Sequence, residues 1–369
     1  MAQNKNQRIS QQQIARDLGV SQALVSMVLN GRRTGISQDS FDRIWKYAMD
    51  KGYTPRGMNV NLVRPAENGA RTVGYILRAP LQLATKSNFF SYVHHGLHAS
   101  VTGADVRTVF LGSETDLDAE QLLEFIDSQS SLIGLVVMGE LEEAFMKVLL
   151  RSRKPVVYTS ARYPGRCHSV ISNQQQSAEQ LVEHLVALGH KKFAWLGGDE
   201  GRSRNLERRN AVLEVLARHG LTIEARDQVD LGEADRREGA QAAAAIFGTN
   251  HRKLPTAWIC MTGLMARGAV NFLLQKGIEV GRDISVVAFD LTKVCTEEHP
   301  TITSAFAEPT KIGEEAGRIV LAASGDSGFP LHEITLPSVL VERESSGPVP
   351  MELKRTIKTP KAPRTRART

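Results

Sequence analysis

The stretch Gln11–Asn30, QQQIARDLGVSQALVSMVLN, decides how the chain begins. Ile14, Ala15 and Leu18 recur at helical spacing, and so do Leu24, Val25, Val28 and Leu29. Between the two runs stands Gly19, where the chain must turn and only glycine takes a left-handed backbone without steric cost. Val20 is placed to plug the corner, Ser21 to cap the second helix, and small Ala15 to let the helices cross closely. This is the pattern of a helix-turn-helix, a motif that lays its second helix in the DNA major groove.

Working outward, Ser37 opens a third helical run in which Phe41, Ile44, Ala48 and Met49 share one face, and Gly52 closes it. The following segment carries Gly57, Asn59 and Asn61, which disfavour a stable isolated helix and mark a linker. Charge separates the ends from the middle. Residues 1–64 hold ten Lys/Arg against four Asp, and residues 351–369 hold seven against Glu352, so each end carries +6. The 286 residues between them therefore carry −6 of the overall +6. A basic head and tail on an acidic body is the electrostatic footprint of nucleic-acid binding. The terminal PVPMELKRTIKTPKAPRTRART has no hydrophobic face and is expected to be disordered, attracting phosphates or merely aiding solubility.

From Thr72 onward short apolar runs alternate with amphipathic stretches. VGYIL (73–77), VRTVFL (106–111), LIGLVVM (132–138), PVVYTS (155–160), FAWLGG (193–198), AWICM (257–261) and ISVVAF (284–289) read as strands. Helical patterns such as AEQLVEHLVALG, LERRNAVLEVLARHG and LMARGAVNFLLQKG fall between them. The alternation predicts an α/β body of parallel sheets covered on both faces, with too many units for one sheet and hence two lobes. Ligands of such folds sit at the carboxyl ends of strands, here in the cleft between lobes.

The motifs IARDLGVSQALVSMVLNG, KGYTP, HLVALGHKKFAWLGG, GRDISVVAFD, PTITS and LPSVLVERESS, in that order and spacing, make the chain resemble the LacI/GalR family of bacterial transcription regulators. The resemblance covers roughly residues 8–347. It implies an all-α helix-turn-helix head at 1–54, a hinge at 55–71, and a two-lobed body like a periplasmic sugar-binding protein. The first lobe would comprise 72–172 and 306–334, the second 173–305 and 335–347, with 348–369 as the tail.

Carried over residue by residue, the reading helix would present Gln22, Ala23, Ser26 and Met27 to bases, with Asn30 at its end. Gln bonds bidentately to adenine, whereas Ala and Met offer only apolar contact, as to a thymine methyl. Met27 stands where many relatives carry Arg or Lys, which removes a guanine contact. Ser10, Ser21 and Arg32 would hold phosphates, which position without specifying. Leu62 matches a minor-groove wedge on a hinge helix that folds on operator DNA. In the body Arg208 and Asp290 match effector-binding residues, a guanidinium fork and a carboxylate suited to sugar hydroxyls. Asn88, Phe89 and Phe90 match the segment lining the cleft, and Arg78 ends the first strand, facing an anionic ligand. Thr262-Gly263 replaces the usual Asn-Asp pair and Leu291 a second aspartate, which leaves room for a smaller or less hydroxylated effector than a familiar sugar.

The expected partners are a pseudo-palindromic double-stranded operator, a second copy of the chain, and a small-molecule effector, a sugar or related metabolite. A non-sugar ligand or a partner protein is the alternative. A charged tail without leucine heptads points to a dimer rather than a tetramer. Isolated Cys167, Cys260 and Cys295, a polar N-terminus and the lack of any long apolar run fit a cytoplasmic protein that does not enter a membrane. A secreted solute-binding protein would need a signal peptide and no helix-turn-helix. An oxidoreductase would need a glycine fingerprint, which LGGDEG lacks. His94 and His98 have helical metal spacing, but no acidic partner follows in HHGLH, so neither metal nor cofactor is expected and no catalytic set emerges.

Overall fold

A computed structural model describes residues 10–29, 36–37, 40–41, 43–44, 47–48, 70–78, 89–198, 200–249, 254–326 and 328–350. The chain divides into two compact units, Met1–Pro65 and Ala66–Thr369.

In the first unit, α1 (Gln11–Leu18) is capped by the Ser10 hydroxyl, which accepts the Gln13 N–H at 3.1 Å. Gly19 ends it in the left-handed region at φ 65°, which lets the Val20 N–H reach back to the Ala15 carbonyl at 3.0 Å. Ser21 then caps α2 (Gln22–Leu29), its hydroxyl accepting the Leu24 N–H at 3.1 Å. Ile14, Ala15, Val25, Val28 and Leu29 pack with Phe41, Ile44 and Ala48 into one small core. Residues 40–41, 43–44 and 47–48 are helical, and two polar ties hold them to α1. Arg43 donates to the Leu18 carbonyl at 2.7 Å, covering an orphan acceptor at the helix end, and the Tyr47 hydroxyl donates to Asp17 at 2.9 Å.

The second unit holds two six-stranded sheets. One runs β11-β5-β4-β3-β1-β2 and the other β12-β10-β9-β8-β6-β7. The first contains β1 (Arg71–Leu77), β2 (Val106–Ser113), β3 (Leu132–Met138), β4 (Val156–Thr159), β5 (His168–Ser172) and β11 (Glu333–Leu336), all parallel. The second contains β6 (Phe193–Gly197), β7 (Gln228–Asp230), β8 (Ala257–Cys260), β9 (Ser285–Phe289), β10 (Thr303–Phe306) and β12 (Val339–Val341), of which only β12 is antiparallel.

Strand periodicity sorts the first lobe into two cores. Val136 and Met138 face α3 (Phe89–Thr102) and α11 (Pro309–Gly325). Leu135 and Val137 face the opposite layer, α4 (Ala119–Ser128) and α5 (Glu143–Leu149). The helix pair α3–α11 crosses backbone on backbone: a Cβ on Gly313 would lie 1.8 Å from the Val93 carbonyl oxygen, and one on Gly96 1.9 Å from that of Thr310. In the second lobe α6 (Gln174–Ala187), α7 (Ser203–Arg218), α8 (Arg236–Thr249) and α9 (Gly263–Gln275) sandwich a core built on Trp195, Trp258 and Phe289. A short α10 (Lys293–Thr296) follows β9.

The chain passes between lobes three times, after β5, after β10 and after β11. Ser338 ties the last passage to the first: its N–H donates to Gln176 at 2.8 Å and its hydroxyl to the Asn173 carbonyl at 3.1 Å. The Ser177 hydroxyl donates to that of Ser338 at 2.7 Å, and Gln180 donates to the Ser338 carbonyl at 3.0 Å.

Candidate functional site

Because every strand but β12 runs parallel within its sheet, the carboxyl ends gather at one edge of each lobe. In the first lobe Arg78 follows β1, Gly139 and Glu140 follow β3, and Ser160 follows β4. Together with Phe90 on α3 and with Arg202 and Arg204 at the start of α7, they line one small cavity of about 30 Å³. Both lobes therefore contribute to its walls. Gly139 is required at its place, since φ is 95° and a Cβ would approach the Arg78 Cβ to 3.0 Å and the Phe90 ring to 3.3 Å. Ser160 sits at φ 70°, and its buried hydroxyl makes no hydrogen bond.

The cavity mouth is closed by polar contacts from one lobe to the other. The Ser203 N–H points at both Glu140 oxygens, 3.1 and 3.0 Å away, and its hydroxyl donates to Oε2 at 2.9 Å. Arg202 reaches Glu142 at 2.5 Å, and Arg162 lies 3.4 Å from Glu207. Glu114 stands behind, its carboxylate accepting the Glu142 N–H at 2.6 Å. Burial pushes the Glu114 carboxyl above its ordinary range, against the pull of the Arg202 and Arg78 guanidiniums.

Asp230 anchors α7 beside the second sheet, accepting from Trp195 Nε1 at 2.9 Å, Asn205 at 3.1 Å and Arg209 at 2.8 Å. One turn beyond Arg204 on the same helix, Arg208 is buried and lies 5.0 Å over the Phe289 ring. It donates to Gln174 at 2.7 Å and to the Met261 carbonyl at 2.5 Å, and lies 3.8 Å from Asp290. Asp290 itself follows β9 at φ 69° and accepts the Gly263 N–H at 3.1 Å. Burial raises its carboxyl pKa, while Arg208 and the Gly263 N–H pull the other way. The Thr262 hydroxyl caps α9 by accepting the Met265 N–H at 3.1 Å and donates to the Ala234 carbonyl at 3.0 Å.

The structure thus brings Arg208, Thr262 and Asp290 together behind the second lobe's strand ends, and places Arg78 in the cavity wall. Of the two phenylalanines expected at the cleft, Phe90 lines the cavity, whereas Phe89, about 100° away round the helix, is buried in the α3–α11 core and not in the cavity wall. Glu140, Ser160, Arg202 and Arg204 were not singled out from the sequence. Only Ser160 carried a readable signal, as the residue closing the PVVYTS run at a strand's carboxyl end. Asn88 lies outside the described residues, as do Asn30, Arg32 and Leu62.

On the head, Gln22, Ala23 and Met27 lie exposed along α2 and Ser26 is half-buried, while Val25, Val28 and Leu29 fill the core. Met27 is 36% exposed, so it does not serve as a packing residue. Ser10 and Ser21 are exposed at the two helix starts, their hydroxyls engaged as caps. His94 and His98 both meet the Thr108 hydroxyl, at 3.2 and 3.3 Å, on the outer face of the first lobe. Among the described residues no group of His, Cys, Asp and Glu is arranged to hold a metal.

Residues 182–346 match the model of the periplasmic binding protein-like domain. The HTH-type transcriptional repressor PurR of Aliivibrio fischeri strain MJ11 is 23% identical over 90% of this chain and 96% of its own, spanning head and body alike. Head and body together are thus similar to regulators of the LacI/GalR kind. A solved LacI family regulator from Mycobacterium smegmatis superposes with a TM-score of 0.65 at 24% identity, over 75% of this chain and all but 1% of that one. The structure described as the transcriptional regulator CelR–cellobiose complex superposes at 0.68 and 20% identity, over 92% of this chain and 100% of that one. LacI/GalR proteins regulate transcription and are not enzymes. No helix among the described residues is long and apolar enough to cross a membrane.

Proposed function

We propose that this chain is a dimeric, cytoplasmic repressor of the LacI/GalR kind that binds a pseudo-palindromic operator and is controlled by a small molecule held between its lobes. The observation that carries the ligand reading is the cavity itself, walled from one side by Arg78, Gly139 and Ser160 and from the other by Arg202 and Arg204. A ligand touching both walls stabilises one lobe arrangement over another, which is the differential interaction that any ligand-driven shift requires. On the head, Gln22, Ala23, Ser26 and Met27 form the reading face with Asn30 at its end, Ser10, Ser21 and Arg32 hold phosphates and Leu62 is the wedge. Arg208, Thr262 and Asp290 hold the second lobe's strand ends in register for the effector, and Phe90 supplies the aromatic wall. The similar structure described as a regulator–cellobiose complex supports a sugar or sugar-derived effector.

Operator titration of the full-length protein, with and without effector, tests the reading. Arg208→Ala should abolish the response to effector and leave basal operator binding intact, whereas Leu62→Ala should weaken operator binding and spare ligand affinity. An unchanged operator affinity in Leu62→Ala removes the wedge from the account. Gln22→Ala should change which operator is preferred, while deleting residues 351–369 should weaken all DNA alike and flatten the salt dependence.

A further inference from the structure

We propose that the effector is a small carboxylate, and that Glu140 is the internal placeholder for its acid group. This rests on the reading of the interlobe cavity as the effector site and names the class of ligand it takes. Of the seven residues lining the cavity, Arg78, Arg202 and Arg204 are cationic and Glu140 alone is anionic. The Glu140 carboxylate crosses to the other lobe and takes the Ser203 N–H and hydroxyl with its two oxygens. It lands on the first turn of a helix of 16 residues that has no acidic residue there, and whose N-cap, Arg202, makes no side-chain cap bond. The positive end of α7 is therefore served by a carboxylate from outside the helix.

A second and independent feature points to an occupant. The Ser160 hydroxyl is buried in the cavity wall with no hydrogen-bond partner, on a residue held at φ 70°. Most buried hydroxyls are paired in folded proteins, and one left over in a cavity wall is available to a ligand's donor or acceptor. A ligand with a carboxylate for Ser203 and the arginines, and a hydroxyl for Ser160, satisfies both at once. Glu140 is half-buried at the mouth, so when displaced its carboxylate swings into water at little desolvation cost.

The test is calorimetric titration of the full-length protein with glucuronate, galacturonate and gluconate, each beside its neutral sugar, and with glucose 6-phosphate. At least one acid should bind, with its neutral counterpart more than about tenfold weaker, the worth of one charge-assisted hydrogen bond. Glu140→Ala removes the competitor and should tighten the acid several-fold. Ser203→Pro deletes both donors yet suits the first position of a helix, and should weaken the acid about tenfold. Ser203→Ala, which keeps the N–H, should fall between. Equal binding of acid and neutral sugar, binding of the phosphate ester alone, or silence of every acid would overturn the carboxylate. A loss of acid binding in Glu140→Ala would make Glu140 a clasp between lobes and not a placeholder. The broader reading fails separately, if operator binding ignores neutral sugars, acids and cell extract alike.

Discussion

The two lobes share one strand order but finish equivalent strands in opposite ways. Ser160 after β4 and Asp290 after β9 occupy matching places in the two sheets, and both sit at positive φ, 70° and 69°. Asp290 is answered from within its own lobe, by the Gly263 N–H and by Arg208, which also braces the Met261 carbonyl. The Ser160 hydroxyl is answered by nothing. At this pair of strand ends the second lobe is thus answered by its own residues and the first is not, although Gln180, Asn205 and Arg209 of the second lobe also carry buried polar atoms without a hydrogen bond.

The sharpest way to break this contrast is Arg208→Ala. It leaves a buried carboxylate and a buried carbonyl short of a partner, and should cost about 3 kcal/mol, read as a lower urea midpoint. A change within experimental error would show that the second lobe is not self-sufficient.

Next come the glycines at which the helices touch, since here the lobes are alike. Gly313→Ala in the first lobe and Gly268→Ala in the second each set a methyl about 2 Å from a carbonyl oxygen, of Val93 and Arg236 respectively. Each should lower stability by about 1–3 kcal/mol in chemical unfolding. A large effect at one and none at the other would mean the helix pairs are not equivalent.

A smaller effect is expected with pH. Burial holds the His190 imidazole below its ordinary pKa of 6.5, where the ring bonds Thr256 at 2.9 Å and Ser285 at 3.0 Å. The unfolded chain therefore binds the proton more readily, so this stability is present above about pH 6.5 and is lost as pH falls through the depressed folded value. Thermal unfolding between pH 7.5 and 5.5 should show a shallower decline in His190→Gln than in the parent.

Ser160→Ala should have the smallest effect on stability, close to zero, because no hydrogen bond is lost. It should nonetheless lower effector affinity, and the pairing of those two results would confirm that the hydroxyl serves a ligand. If the substitution costs as much as Arg208→Ala, the two strand ends are not in contrast at all.

How much of this could be read in the sequence follows from what each feature depends on. LIGLVVM and SVVAF are strands buried on both faces, and continuous β-branched runs announce them. The edge strands β7 (QVD), β11 (EITL) and β12 (VLV) are too short and too mixed to stand out, and only pairing with a neighbour defines them. In the head, Gly19 and the two capping serines were legible because their roles are local. Arg208 and Asp290, which meet outside the cavity lining, were singled out through motif resemblance. Glu140 was not, because its partner Ser203 lies 63 residues away and folding alone joins them. Phe89 and Phe90 could not be ranked without knowing which side of α3 meets α11.

The threefold passage between lobes has a consequence for the order in which the molecule is made. Helix α11 supplies Ile312, Ala316, Ile319 and Val320 to the core of the first lobe, and β11 supplies that lobe's edge strand. Both are synthesised after β10, when nearly all of the second lobe's sheet has left the ribosome. The lobe begun first is therefore completed only near the end of the chain, just before β12 completes the second. Until then the apolar face formed by Val93, Leu97, Val136 and Met138 lacks its cover, and the nascent chain carries its main exposure to aggregation on the lobe nearest its beginning.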